Sequence, residues 1–410
     1  MKKLLTICLT CMCLLTTIGT VKAEDTIEIT AQYALAIDVE QGTTLYEKNA
    51  DQKMFPASMT KIITVIVALE MIDNLEEQVV ITDKDLETIF ETNASAAYFG
   101  VGETVTYKDL IYGAMLPSGA DATRALAFNL CGDLETFVEK MNELVKKLKL
   151  ENTNFVNTTG IHDENHYTTA HDLAAILKYA SDNTDFMEAF SAYHYKSSNG
   201  LHDWVNTGMY YADIYDIDIS RIVGCKSGYT DEALRCLASV VTVDERQVIT
   251  IVGHSDKEIS GAANIDTNTI AEYCENNYAE VKLHTTGDAI KELPITFGVD
   301  DVYKVNYMED VSAYLPVSYK DTDLTYTYDF KELTAPIDKG QKIGNIKIEY
   351  QGKELYTYEF VNDKELKRDT LAYILHQVVS FIFPYGLSIV FIIIYILLYR
   401  YQPKRSVKKS

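Results

Sequence analysis

Apolar and polar residues follow the periods of both strands and helices along most of the chain. AQYALAID, residues 31–38, alternates with a period of two, a turn follows at Gln41-Gly42, and TTLYEKN resumes the alternation. These runs predict an antiparallel hairpin. The next run, SMTKIITVIVALEMI from Ser58 to Ile72, is apolar on nearly every face. It therefore predicts a helix buried in a protein core.

Beyond this helix, some runs of apolar residues have the helical period and others have the strand period. Further helices are predicted at Tyr107 to Met115, Asp121 to Asn129, Leu134 to Leu148 and Thr169 to Ala180, and strands at Cys236 to Val243 and Gln247 to Gly253. This mixture predicts an α+β domain over residues 24–280, with an antiparallel sheet flanked by helices.

The pattern changes after about residue 280. Short alternating runs dominate, such as IGNIKIEY and KELYTYEFV on either side of Gln351-Gly352. Period-two alternation around a tight turn predicts a small all-β domain over residues 281–362.

Both ends of the chain carry apolar segments. Residues 1–23 combine a basic start, an apolar middle and small residues before the expected cleavage after Ala23, which predicts a secretory signal peptide. After a linker at 363–377, residues 378–399 contain no charge and are long enough to cross a bilayer core of about 30 Å. The basic tail 400–410 predicts that the chain crosses once, with its tail in the cytoplasm and its domains outside.

Composition excludes several classes of protein. The chain has 60 acidic and 37 basic residues, a net charge of -23, so it lacks the basic surface that nucleic acids require. The cysteines beyond the signal show no metal-ligand spacing. Free thiols are expected at Cys131, Cys225, Cys236 and Cys274, although a Cys225–Cys236 disulfide across a hairpin remains an alternative. No cofactor or metal is expected.

The first candidate for chemistry is the pair Ser58 and Lys61 in FPASMTKIIT. Residues three apart share a helix face, and a serine becomes nucleophilic when a base removes its proton. A lysine desolvated in a core has a lowered pKa and can act as that base. The pattern alone does not decide, because Ser406 to Lys409 repeats it in the basic tail and a capping serine with a surface lysine gives the same letters.

Two more segments favour the interpretation of Ser58 and Lys61 as a nucleophile and its base. They are MLPSGADATR, residues 115–124, and VGCKSGYTD, residues 223–231. With PASMTK they match, in order, the Ser-x-x-Lys, Ser-x-Asn and Lys-Thr/Ser-Gly motifs of penicillin-binding proteins and serine β-lactamases. Through these motifs, NFVNTTGIHDENHYTTAHDLA and API-DKGQ-IG, the chain resembles the low-molecular-mass D-alanyl-D-alanine carboxypeptidases, the S11 serine peptidases. The resemblance implies a β-lactamase/transpeptidase-like domain, a β-rich second domain and a membrane anchor.

The resemblance also implies roles for single residues. Ser58 would attack the penultimate D-alanine carbonyl of a peptidoglycan stem pentapeptide, with Lys61 as base and Ser118 as proton relay. Lys226 and Ser227 would bind the terminal carboxylate, and Thr230 is a weaker candidate for that contact. The backbone N–H groups of Ser58 and Tyr229 would form the oxyanion hole. β-Lactam antibiotics would acylate Ser58 as covalent inhibitors.

One motif position departs from the family, because Ala120 stands where asparagine is usual. Alanine offers no side-chain hydrogen bond, so a catalytically weakened wall-binding or cell-shape protein is an alternative, as is a β-lactamase. Asp121 either compensates or is a first-turn acid of a helix. His166 is predicted to be structural, and Thr169 with Asp172 to form a capping box.

Overall fold

The computed structural model describes residues 27–87 and 94–401. The chain divides into two compact units, Met1–Tyr278 and Ala279–Ser410, close to the predicted boundary at residue 280. The predicted signal peptide lies outside the described residues, as does the tail beyond residue 401.

The described part of the first unit contains nine strands and nine α-helices. The strands are β1 (Tyr33–Asp38), β2 (Thr44–Lys48), β3 (Gln78–Val80), β4 (Thr104–Thr106), β5 (His194–Lys196), β6 (Asp203–Val205), β7 (Ile222–Thr230), β8 (Leu234–Val243) and β9 (Arg246–Ser255). The helices are α1 (Lys61–Leu69), α2 (Asp83–Leu86), α3 (Tyr107–Met115), α4 (Ala120–Cys131), α5 (Leu134–Lys147), α6 (Ala170–Ser181), α7 (Thr184–Ser191), α8 (Thr207–Ile214) and α9 (Ala262–Asn277).

A five-stranded sheet in the order β2-β1-β9-β8-β7 forms the framework of this unit. All four neighbouring pairs are antiparallel, and β1 pairs with β2 in the predicted hairpin. Every residue of α1 is buried, as its uniformly apolar sequence predicts. The α+β class is therefore confirmed, and β7 lies at one edge of the sheet.

The serine motif differs from the prediction of one continuous helix from Ser58 to Ile72. Ala57–Thr60 form a 3-10 turn, and the α-helix extends only over Lys61–Leu69. The Thr60 hydroxyl donates to the Ala57 carbonyl at 2.8 Å, and this bond is one of the contacts that stabilise the tight turn.

The cysteine alternative is resolved by the strand register. Cys225 faces Ser239 and Cys236 faces Gly228 across the β7–β8 hairpin, so the two sulfurs do not oppose each other. All four described cysteines are free thiols.

The second unit is β-rich. Its strands are β10 (Tyr278–His284, which starts at the last residue of the first unit), β11 (Ala289–Thr296), β12 (Val302–Asn306), β13 (Val311–Pro316), β14 (Leu324–Phe330), β15 (Leu333–Thr334), β16 (Lys342–Tyr350) and β17 (Lys353–Val361). They form the sheets β10-β13, β12-β11-β15 and β14-β16-β17. The predicted hairpin around Gln351-Gly352 is β16–β17.

The last described element is helix α10 (Thr370–Arg400), which begins inside the predicted linker. It bends by 41° between the segments Thr370–Phe383 and Tyr385–Arg400. The residue between them in the sequence is a proline, which is unfavourable inside a helix because it has no backbone N–H. The predicted single span 378–399 is therefore not supported as one helix. Within the described residues no unbroken helix has the length and apolar composition to cross a bilayer, whereas the two bent halves meet both criteria together.

Candidate active site

The serine turn is built from strained backbone. Ala57, directly before Ser58, has a φ of +46°, a conformation that costs free energy for any residue with a Cβ. Gly160 explains how the turn is held, because a Cβ on that glycine would lie 1.8 Å from the Ala57 carbonyl oxygen. Only glycine permits this approach, so the segment around Gly160 supports the turn that presents Ser58.

Lys61 meets the geometric requirement for a base at Ser58. Its Nζ lies 3.1 Å from Ser58 Oγ and donates to the Thr159 carbonyl at 2.7 Å. Burial, helped by the positive charge of Lys226, lowers the pKa of Lys61 well below its ordinary value, and Asp121 opposes this shift. A neutral amine next to the hydroxyl can accept its proton.

Ser118 lies in the connection between α3 and α4. It adopts a φ of +63°, which is unusual for serine, and it is 5% exposed. Its Oγ has no hydrogen-bond partner among the described residues. A buried hydroxyl held in a strained conformation without a partner is typical of a group that meets a ligand.

Strand β7 contributes Lys226, Ser227 and Tyr229. Lys226 is 1% exposed, and its Nζ donates to the Ser227 carbonyl at 2.9 Å. Burial lowers the pKa of Lys226 to about 8, partly offset by the Cys225 thiol. Ser227 Oγ lies 3.1 Å from Thr207 Oγ1, and a Cβ on Gly228 would approach Ser58 N to 3.0 Å. The glycine thus lets β7 pass close to the serine turn.

A cleft of about 500 Å³ joins these parts. Ser58, Ser118, Ser227 and Tyr229 all line it, so four of the seven predicted site residues share one surface. Lys61 and Lys226 are buried and contact this group through Ser58 and Ser227. Thr230 is not among the lining residues, and its Oγ1 accepts from Ala233 N at 3.0 Å.

The cleft also contains residues that the sequence did not single out. They include Thr207, Tyr211, Tyr215, Arg235 and Asn264. Arg235 faces Tyr229 across the β7–β8 hairpin and donates to the Lys257 carbonyl, with Nη2 at 3.1 Å. The signal for Arg235 lies in the register of that hairpin, because residues opposite each other in neighbouring strands share a face of the sheet.

Ala120 is 1% exposed and packs against Ala96. The backbone N–H of Ala120 donates to the Ser95 carbonyl at 2.8 Å. Asp121 lies in the first turn of α4, and its carboxylate accepts from Ala97 N at 2.8 Å and Phe99 N at 3.2 Å. The carboxylate therefore binds backbone N–H groups from a first-turn position, and compensation for Ala120 by Asp121 stays a prediction.

The structure also shows the contacts of His166 and of the predicted capping box formed by Thr169 and Asp172. His166 is 2% exposed and bonds to Thr60 and Val156, away from Ser58 Oγ. Thr169 caps α6 by accepting from Asp172 N, but the Asp172 carboxylate accepts from Asn152 N and Thr153, so only half of the predicted capping box forms. Among the described residues, no group of His, Cys, Asp and Glu has a metal-binding arrangement.

Comparison with known proteins gives two family matches. The model described as D-alanyl-D-alanine carboxypeptidase matches residues 20–256, and the one described as penicillin-binding protein 5, C-terminal domain, matches residues 278–368. The D-alanyl-D-alanine carboxypeptidase DacF of Bacillus subtilis is 28% identical over 82% of this chain and 86% of its own.

Solved structures agree with these matches. Penicillin binding protein 5 from Haemophilus influenzae superposes with a TM-score of 0.66 at 25% identity, covering 84% of this chain and all of that one. The Streptomyces K15 DD-transpeptidase gives a TM-score of 0.56 at 32% identity, covering 61% of this chain and 98% of that one.

Proposed function

Because this chain belongs to the D-alanyl-D-alanine carboxypeptidase family, we propose that it hydrolyses its substrate through an acyl-enzyme on Ser58. It is a serine-type carboxypeptidase that acts on peptidoglycan stem peptides and binds β-lactams. The observation that carries the proposed mechanism is the Lys61 Nζ at 3.1 Å from Ser58 Oγ, with a pKa lowered by burial.

In the first step, neutral Lys61 takes the Ser58 proton as Oγ attacks the carbonyl of the penultimate D-alanine. The carbonyl oxygen becomes an oxyanion, for which the backbone N–H groups of Ser58 and Tyr229 are the proposed donors. Gly228 supports this placement, because its lack of a Cβ lets β7 approach Ser58 N.

The leaving D-alanine needs a proton on its nitrogen and contacts that hold its carboxylate. Ser118 lines the cleft with an unpartnered hydroxyl, so it is suited to pass the proton from Lys61 to the D-alanine nitrogen as the C–N bond breaks. Ser227 supplies a hydroxyl to the terminal carboxylate, and Lys226 supplies positive charge from beneath it. Arg235, a cation that lines the cleft, is a further proposed contact for the carboxylate.

Deacylation repeats these steps with water in place of the serine hydroxyl. Water attacks the ester carbon, the oxyanion forms again at the same donors, and the Ser58 Oγ–carbon bond breaks. Ser58 recovers its proton and the shortened peptide leaves with a new carboxylate. Neutral Lys61 is the proposed proton acceptor from the water, since it is the base adjacent to Ser58.

A labelled β-lactam tests the assignment of Ser58. The wild-type protein should become covalently labelled and should release D-alanine from a synthetic pentapeptide. Ser58→Ala should do neither, because it lacks the attacking oxygen, while the matched variant Ser95→Ala in the same cleft remains labelled. Equal labelling of wild type and Ser58→Ala would reject the acyl-enzyme on Ser58.

We also propose that the protein works outside the cytoplasmic membrane and is anchored to it by α10. The large apolar side chains described along this helix are exposed in the chain by itself, as expected for a surface that meets lipid. The bent halves together have the length and composition of a span. The location of the catalytic unit outside follows from the predicted signal peptide and the basic tail.

A further inference from the structure

His166 bonds to the turn that carries Ser58, although it does not contact Ser58 Oγ. The protonation of its ring follows from two bonds. Its Nδ1 accepts from Val156 N at 3.2 Å, so the proton lies on Nε2, which is 2.8 Å from Thr60 Oγ1. Thr60 confirms this arrangement, because its single proton is already donated to the Ala57 carbonyl at 2.8 Å. The hydroxyl must therefore accept from the histidine.

These bonds form a directed chain from Val156 through His166 and Thr60 to the Ala57 carbonyl. His166 and Thr60 are 2% and 0% exposed, so water does not compete for the bonds. The Ala57 carbonyl and the Ser58 N–H belong to one peptide group, and in a trans peptide they point in opposite directions. Fixing the carbonyl on one side therefore aims the N–H on the other side.

We propose that His166 is a positioning residue that orients and polarises the Ser58 N–H as an oxyanion-hole donor, acting through the Thr60 hydroxyl and the Ala57 carbonyl. Consecutive hydrogen bonds polarise one another, so a donor on the carbonyl strengthens the N–H of the same peptide. The strained φ of +46° at Ala57 shows why support is needed there. This inference rests on the proposed acyl-enzyme mechanism at Ser58.

Four single variants and one double variant separate this role from general stability. Thr60→Val removes the hydroxyl at nearly constant volume, while Thr60→Ser keeps it. His166→Leu removes the ring donor, while His166→Gln retains an N–H that can reach Thr60. The measurements are the rate constant for acylation by a labelled β-lactam, and kcat and KM for pentapeptide hydrolysis.

Loss of a whole oxyanion donor lowers kcat by about 10²–10³, so misorienting one should cost about tenfold. We expect Thr60→Val and His166→Leu each to slow acylation by about tenfold and to lower kcat with KM nearly unchanged. Thr60→Ser and His166→Gln should stay within about threefold of wild type. The double variant Thr60→Val/His166→Leu should lose no more than either single one, because both break the same chain.

The completed labelling reaction provides the control for folding. A merely structural role would reduce the fraction of protein that becomes labelled and leave the rate constant of that fraction unchanged. That result, or additive losses in the double variant, would overturn the inference while the wild type stays active. If His166→Leu does not fold, the comparison of Thr60→Val with Thr60→Ser decides alone. A wild-type protein that does not react with β-lactam would overturn the mechanism and this inference together.

Discussion

In the proposed mechanism, two buried lysines of the same site need opposite protonation states. Lys61 must be neutral to accept a proton, and burial lowers its pKa. Lys226 must be charged to attract a carboxylate, and its pKa of about 8 keeps it protonated at neutral pH. Single residues therefore fix the pH range over which the site works.

The expected pH profile of kcat/KM is bell-shaped. As the pH rises, the neutral fraction of Lys61 grows, so activity increases through its lowered pKa. Above about pH 8, Lys226 loses its proton and activity falls. Measuring D-alanine release against pH checks both limbs. A profile that stays flat from about pH 7 to pH 10 would contradict the requirement for a charged Lys226.

Arg235→Ala should raise KM for the pentapeptide by about tenfold, because a charge-assisted contact to the substrate carboxylate contributes about 1.5 kcal/mol. The turnover number should change less, since the arginine is remote from the reacting bond in the proposed complex. Arg221→Ala provides a matched control, as that arginine pairs with Glu275. Equal KM values for Arg235→Ala and Arg221→Ala would remove Arg235 from the site.

Ala120→Asn tests whether the native site is weakened. Ala120 is 1% exposed and packs against Ala96, so a polar amide at this buried position should destabilise the protein by about 1–3 kcal/mol. We expect no gain in D-alanine release. Ala120→Ser is the small polar control. A gain above about tenfold in Ala120→Asn, measured with the pentapeptide, would support the alternative of a catalytically weakened wall-binding protein.

At the scale of elements, the sequence predicted those whose pattern is local. Tyr107 to Met115 forms the predicted α3 with the same bounds, and the strands from Cys236 and Gln247 correspond to β8 and β9. The backbone of the serine motif was harder to predict from the sequence, because its 3-10 turn also depends on Gly160, about a hundred residues away. Arg235 was missed for a similar reason: only the hairpin register places it in the cleft.

Asp109 links two elements and should be costly to replace. It caps α3 with Thr106 and accepts from Ser198 in the segment after β5. Burial alone would raise its pKa, but hydrogen bonds from Ser198 and Thr106 outweigh burial and keep the pKa below its usual value. Its stabilisation is therefore present above about pH 4 and is lost as the pH falls through the lowered pKa.

We expect Asp109→Asn to lower the free energy of unfolding by about 3 kcal/mol at pH 7, because the amide nitrogen would face buried donors. The difference from wild type should shrink at lower pH. Asp133→Asn, at the exposed start of α5, is the control and should cost less than about 0.5 kcal/mol, since asparagine also caps helices. Denaturant titration measures both. A smaller loss for Asp109→Asn than for Asp133→Asn would be inconsistent with the linking role.

At the scale of the whole molecule, composition and pattern predicted an α+β catalytic unit followed by a β-rich unit, and both are present. The end of the chain was predicted less well. A run of apolar residues gives the length of a span but does not give the 41° bend of α10.

Truncation tests the proposed anchor. A chain ending at Asp369 lacks α10 and should remain in the aqueous fraction after membranes are sedimented, with D-alanine release from a soluble pentapeptide close to that of the full chain. A chain ending at Arg400 keeps the helix and should sediment with membranes. Membrane association of the shorter chain, measured with salt washing, would show that α10 is not the anchor.

The close approach of Gly160 to Ala57 also restricts how this protein can evolve. Every substitution at position 160 introduces a Cβ that collides with the Ala57 carbonyl, and its φ of +86° adds a second obstacle. Populations selected for growth under β-lactam pressure should therefore acquire tolerance at other codons. After saturation mutagenesis of codon 160, the clones that still release D-alanine should all encode glycine at this position.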